Sequence, residues 1–126
     1  MLARANRIVR ADDYRNTVRR GRKSVTAHCV VYRRVRAEGD EDRFGFIVSK
    51  AVGDAVTRNT VRRRLKGVAH QILVTDAARL SAGFSPERTD VVIRALPATL
   101  GVPWSTLLEE VSTALNKGVT AGGESR

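Results

Sequence analysis

Apolar and polar residues change their spacing several times along the chain, and each change marks an element. Over residues 12–20, Tyr14 and Val18 share one helical face at i, i+4, with an aspartate available as a cap and Gly21 placed to end the helix. From residue 24 to 36 the period falls to two. Val25, Ala27, Cys29 and Val31 alternate with His28, Val30 and Tyr32, which predicts a strand. The acidic run Glu38-Gly39-Asp40-Glu41-Asp42 reads as a solvated turn, and residues 44–49 as a second strand forming an antiparallel hairpin with the first.

Helical spacing returns over residues 56–73, after Gly53 and Asp54 supply a turn and a candidate N-cap. Val61, Leu65, Val68 and Ile72 fall on one face, with Ala69 beside them. Residues 75–88 read as mostly irregular, and residues 89–95 as a short buried strand with Val91, Val92 and Ile93 together. Pro97 and Pro103 break the chain before a last helix. It is expected to start near Thr106, which makes a capping box with Glu109, and to end at Gly118. Leu108, Val111 and Leu115 form its apolar stripe. The order helix, strand, strand, helix, strand, helix describes an α+β sandwich with helices packed on a small, mostly antiparallel sheet. A single domain over residues 1–118 and a disordered tail over 119–126 are expected.

Composition turns this outline toward a partner. The 126 residues carry 23 Lys and Arg against 13 Asp and Glu, a net charge of +10, which points to a polyanion. The excess is one-sided: residues 1–66 hold 18 basic and 7 acidic side chains, and residues 67–126 hold 5 and 6. Nineteen of the cations are Arg, a bias that suits bidentate phosphate contact, although genomic composition also produces it. No apolar run approaches the length of a membrane span and no signal-peptide core follows the N-terminal basic residues, so the cytoplasm is the expected location. The single cysteine, Cys29, sits in a strand-like run and reads as a small buried apolar residue.

The positive charge has a focus on the long helix. Opposite its apolar face, Asn59, Arg63, Lys66 and His70 recur at helical spacing with Arg62 alongside, and no Asp or Glu lies between Val56 and Leu73. Like charges at i, i+3 and i+4 each cost a helix a few tenths of a kcal/mol. A solvated helix normally mixes signs, whereas a phosphate-facing one is uniformly positive. Phosphate contact carries little sequence information, so backbone recognition is expected rather than base reading. Tyr14 and Tyr32 are candidate stacking surfaces for unpaired bases; the alternative for each is a tyrosine at the edge of the core. His28 and His70 are the only histidines and no metal-ligand cluster or acid–base pair is visible, so intrinsic catalysis is not expected. At neutral pH, His70 reads as a neutral surface residue.

The stretch RFGFIVSKAVGDAVTRNTVRRRLK, beginning at Arg43, strongly resembles the signature of the protein subunit of bacterial ribonuclease P. The similarity runs from about Asn6 to Gly118 and includes NRIVRADDYRNTVRRG and TDVVIRALP. The resemblance implies a non-catalytic subunit of a ribonucleoprotein endoribonuclease. It implies a large catalytic RNA that, using Mg²⁺ held mainly by the RNA, removes the 5′ leader of precursor tRNA. It further implies that Lys50, Arg58, Asn59, Arg62, Arg63 and Lys66 meet the catalytic RNA, that Tyr14 and Tyr32 meet the leader, and that no membrane or small-molecule substrate is involved. The implied fold is that of domains in translation factors and ribosomal proteins, with a left-handed strand–helix–strand crossover. Two positions depart from the pattern. Thr60 stands where the motif usually has an arginine, leaving Arg62, Arg63 and Arg64 to compensate, and Val18 stands where an aromatic is usual, which implies weaker leader stacking. A ribosomal or general RNA-binding protein without a processing role is the alternative.

Overall fold

The computed structural model describes residues 4–36, 42–74, 89–99 and 101–124. Helix α1 spans Ala11–Arg20 and is followed by strands β1 (Arg22–Val25), β2 (Cys29–Val35) and β3 (Arg43–Ile47). Helix α2 (Ala55–Val74), strand β4 (Thr89–Ala95) and helix α3 (Trp104–Glu124) complete the order. The strands form one sheet in the order β1-β2-β4-β3. β2 runs antiparallel to both β1 and β4, and β3 runs parallel to β4, so the sheet is mostly antiparallel and the class is α+β.

Several expected boundaries shift for local reasons. The strand expected over residues 24–36 is two strands, because the chain reverses between Val25 and Cys29 with no glycine or proline to announce it. Thr26 supplies the turn: its backbone N–H and Oγ1 both donate to the Cys29 carbonyl, at 2.8 and 2.9 Å, and its Oγ1 accepts from the Cys29 N–H at 3.0 Å. The expected hairpin between β2 and β3 does not form. β4, buried at every position but Arg94, takes the centre between them and pushes β3 to the edge. Helix α1 begins at Ala11 with Arg10 as N-cap and no side-chain cap bond, so its aspartates lie in the first turn rather than capping it. Gly21 does end α1, in extended backbone. A Cβ there would stand 2.4 Å from the Thr17 carbonyl oxygen and 2.7 Å from that of Arg33. Helix α3 begins at Trp104, placing Thr106 inside the first turn instead of at a cap, and it continues past Gly118 to Glu124 through most of the segment expected to be a tail. Residues 75–88 and the acidic positions 38–41 lie outside the described residues.

The long helix matches its expectation closely. Asp54 caps it, accepting the Thr57 N–H at 2.8 Å, and that bond holds the Asp54 carboxyl below the usual carboxylate range. Val61, Leu65, Val68, Ala69 and Ile72 are all fully buried. Burying a Val, Leu or Ile side chain contributes roughly 1.5–3 kcal/mol, which outweighs like-charge costs of a few tenths per pair on the opposite face. Packing therefore wins over repulsion. These residues join Val31, Phe44, Val91 and Ile93 from the sheet and Leu107, Val111 and Leu115 from α3 in one core. On the other face a smaller cluster of Ile8, Val30, Tyr32 and Val92 is covered by Tyr14 and Val18 of α1. The alternation read along β2 is thus real, with Cys29 and Val31 facing one core and Val30 and Tyr32 the other. Burial also pushes the Cys29 thiol up, as expected of a packed, unreactive cysteine.

One end of the sheet is held by charge. Asp90 is fully buried at the start of β4, and Arg43 on β3 grips it bidentately with both bonds at 2.8 Å. Arg36, just after β2, donates to the same carboxylate, and Arg43 reaches Asp13 of α1 at 3.2 Å. The bonds to Asp90 hold the Arg43 guanidinium above its ordinary range. Beside this group Asp42, expected in a solvated turn, is buried: its Oδ1 accepts the Thr89 N–H at 3.2 Å and its carbonyl accepts Asn6 Nδ2 at 2.8 Å. Removing one member of a buried ion group strands the others. Asp90→Ala is therefore expected to cost about 3–5 kcal/mol in urea denaturation; a loss below about 1 kcal/mol would mean that the arginines are satisfied by water instead.

Candidate nucleic-acid interface

The outward face of α2 carries the residues expected to meet RNA. Asn59 and Arg63 are exposed, Arg58, Arg62, Lys66 and His70 are part-buried, and Lys50 is exposed in the turn before the helix. None of Lys50, Arg58, Arg63 or Lys66 forms an ion pair among the described residues. Arg62 Nη1 donates to Asn59 Oδ1 at 2.8 Å, so the asparagine orients its neighbour. Arg58 has a buried Nε with no hydrogen-bond partner among the described residues.

Two details change the expected set. Thr60, at the position where an arginine is usual, donates its hydroxyl to the Val56 carbonyl at 3.1 Å and so turns back on its own helix. Arg64, expected to help compensate, donates through Nη2 to the Val102 carbonyl in the loop before α3. It acts as a structural tie. Compensation for Thr60 is left to Arg62 and Arg63.

The tyrosines sit on the opposite face of the sheet. Tyr32 is only 5% exposed and forms part of the small core, so in the free protein its ring is not an open stacking surface. Tyr14 packs against the same cluster and is half-buried. Its hydroxyl accepts the Phe46 N–H at 3.2 Å, and the Phe44 carbonyl beside it accepts the Ile8 N–H at 2.9 Å. Both bonds satisfy groups along edge strand β3. Gly45 between them lets the ring lie flat on the strand, since a Cβ would stand 2.5 Å from Tyr14 Cε1.

At this edge a cavity of about 230 Å³ opens among Arg7, Tyr14, Phe44, Phe46, Arg62 and Lys66. It brings together the first helix, the edge strand and the basic helix. A larger groove of about 350 Å³ runs between β1 and α3, but Glu109 and Glu110 line it, so its charge opposes a phosphate. The Nδ1 of His28 lies 2.5 Å from Glu110 Oε2, which assigns this histidine to a structural pair. Sequence reasoning missed Arg7 and Phe46. Within the basic half of the chain, residues 1–36 alone hold 11 Lys and Arg against 2 Asp. No group of three or more His, Cys, Asp or Glu among the described residues could hold a metal, and no described helix is long and apolar enough to cross a membrane.

The tie made by Arg64 separates stability from binding. Arg64→Ala is expected to lower stability by about 1.5–3 kcal/mol, the worth of a hydrogen bond to a charged group, while RNA affinity of the folded protein changes less than twofold. Paired thermal melts and filter binding read the two effects. A tenfold loss of affinity with unchanged stability would return Arg64 to the interface.

Comparison with known proteins gives this surface its context. The ribonuclease P family model matches residues 2–118. The ribonuclease P protein component of Clavibacter michiganensis is 44% identical over 119 residues, covering 94% of this chain and 97% of that protein. That of Beutenbergia cavernae is 42% identical over 116 residues, covering 91% and 89%. Among solved structures, the Staphylococcus aureus RNase P protein aligns with a TM-score of 0.69 at 21% identity, over 89% of this chain and 94% of that one. The RNase P protein from Thermotoga maritima aligns with a TM-score of 0.68 at 19% identity, over 88% and 96%. At those identities the structures speak for the fold, and the sequence matches speak for descent. This chain belongs to the ribonuclease P protein-component family.

Proposed function

We infer that this chain is the RNA-binding protein component of ribonuclease P, assisting a catalytic RNA in endonucleolytic removal of the 5′ leader from precursor tRNA. The observation that carries the residue-level reading is the α2 stripe: cations without acidic partners among the described residues, on a helix whose opposite face is locked into the core. Lys50, Arg58, Asn59 and Arg63 are assigned to phosphates of the catalytic RNA, with Arg62 and Lys66 at the border of that surface and the cavity beside Tyr14. Tyr14 is assigned to the leader, and Tyr32 supports it from within the cluster on which it packs. The hydrolytic chemistry and its Mg²⁺ are assigned to the RNA, in a cytoplasmic ribonucleoprotein. The chain's own part is to bind, orient and neutralise.

Reconstitution at low Mg²⁺ tests this reading. Purified protein added to a ribonuclease P catalytic RNA is expected to restore leader removal under conditions where the RNA alone is slow. Cleavage by the RNA-free protein, or no stimulation, would defeat it in favour of a nuclease or a general RNA binder. Three cationic phosphate contacts, from Lys50, Arg58 and Arg63, predict that log affinity for the catalytic RNA falls with log salt at a slope of about −2 to −3. Arg63→Ala is expected to flatten that slope by about 0.7 and to leave the melting temperature unchanged; an unaltered slope would remove Arg63 from the interface.

A further inference from the structure

We propose that Trp104, at the start of α3, is a stacking platform for an unpaired base of the catalytic RNA, carrying the contact surface of α2 across onto a second helix. The inference rests on the function proposed above and deepens it, since that reading gives the chain's single tryptophan no part.

Trp104 is 38% exposed, the one aromatic among the large apolar side chains that the described residues leave open to solvent. A lone exposed apolar residue says little by itself. Its position says more. A Cβ at Gly67 would stand 3.2 Å from Trp104 Nε1, so the edge of the indole lies against α2 where that helix has no side chain. At about 100° per residue, Gly67 lies about 40° around α2 from Arg63 and one turn along, but about 140° from Arg62 and about 160° from the buried Leu65. The ring therefore flanks the exposed stripe on the side away from the β3 edge.

The loop that delivers the ring is held in place. Arg64 donates to the Val102 carbonyl, and the Val102 side chain packs against the main core. The Pro103 carbonyl accepts the Thr106 and Leu107 N–H groups at 3.0 and 3.2 Å as α3 begins. Gly101 turns the chain into this loop at φ +88°, a left-handed conformation that favours glycine. A ring fixed in this way has little freedom left to lose on binding, so most of its stacking free energy is retained.

Charge identifies the occupant. Trp104 abuts a helix with no Asp or Glu between Val56 and Leu73, while Glu109 and Glu110 of α3 line the groove on its β1 side. A protein interface is built on a contiguous apolar core, and this ring is bordered by arginines instead. One aromatic beside unpaired cations is the arrangement that single-stranded nucleic acid takes, its bases on the ring and its phosphates on the cations. Catalytic RNA is the source because the ring continues the Arg63 side of α2, with the helix between it and the cavity beside Tyr14.

The single tryptophan makes its own emission the probe. Titrating the wild-type chain with ribonuclease P catalytic RNA is expected to quench that emission by roughly half and to shield it from acrylamide. Trp104→Ala and Trp104→Leu are each expected to weaken assembly roughly tenfold, and Trp104→Phe about threefold. Because no phosphate contact is lost, the salt slope of Trp104→Leu should match the wild type, whereas Arg63→Ala flattens it. Thermal melts identify any variant weakened by misfolding, and the emission readout needs no variant. Catalytic RNA that binds while emission and acrylamide access stay unchanged would overturn the proposal. So would a Trp104→Leu protein that assembles like the wild type, or quenching that appears only when precursor tRNA is added to the holoenzyme. If the catalytic RNA binds and quenches without any stimulation of leader removal, the underlying function falls and the stacking site stands; if it does not bind, both fall.

Discussion

Asp90 is a carboxylate without access to solvent, and one whole end of the sheet is arranged around its charge. Alone, a buried anion costs several kcal/mol, so it must be met by cations with good geometry. Arg43 and Arg36 meet it from the strands on either side of β4, and Arg43 passes the contact on to Asp13. Asp13 is the residue before Tyr14. The charge group assembled at one end of three strands thus adds a tie to α1, beside the apolar packing of Tyr14 and Val18 on the sheet. A hydrophobic replacement could hold the strands equally well, but it would not reach across to α1.

The same chain treats its other cations in the opposite way. On α2 the cations form no ion pair among the described residues, and repulsion among them is tolerated because the buried stripe contributes far more than the repulsion costs. Among the described residues, ion pairing is thus spatially sorted: present where positive charge ties the sheet together, absent along α2. Within a single turn Arg64 is tied to the Val102 carbonyl while Arg63 beside it forms no ion pair among the described residues. A run of three arginines carries at least two kinds of work.

Much of this was legible in the sequence, and the misses share a cause. The α2 face, its cap and its buried residues follow from local periodicity, which a single segment records completely. The order of the strands does not, because β3 and β4 meet across a long connection and nothing in either segment names its neighbour. The β1–β2 turn was hidden because a threonine hydroxyl replaced the usual glycine. Asp42 was read as solvated from its acidic neighbours, yet its partner is the Thr89 N–H, 47 residues away. Buried polar groups are settled by distant partners, and composition near the residue is a poor guide to them.

The two departures from the family pattern can be weighed against this structure. Thr60 leaves α2 with one cation fewer, and because its hydroxyl is satisfied within the helix it offers RNA no replacement donor of equal reach. The loss falls on the outer stripe. Val18 is different: it packs into the cluster with Tyr32 and Val92, so its side chain supports the sheet from inside. An aromatic there would have offered a second ring one turn from Tyr14. In this chain a second ring beside Tyr14 comes instead from Phe46 on β3, across the cavity mouth rather than along the helix. That changes the geometry of aromatic contact from two rings on one helix to two rings on different elements. The distance between the two rings then depends on how firmly α1 is held to the sheet, to which Arg43 and Asp90 contribute.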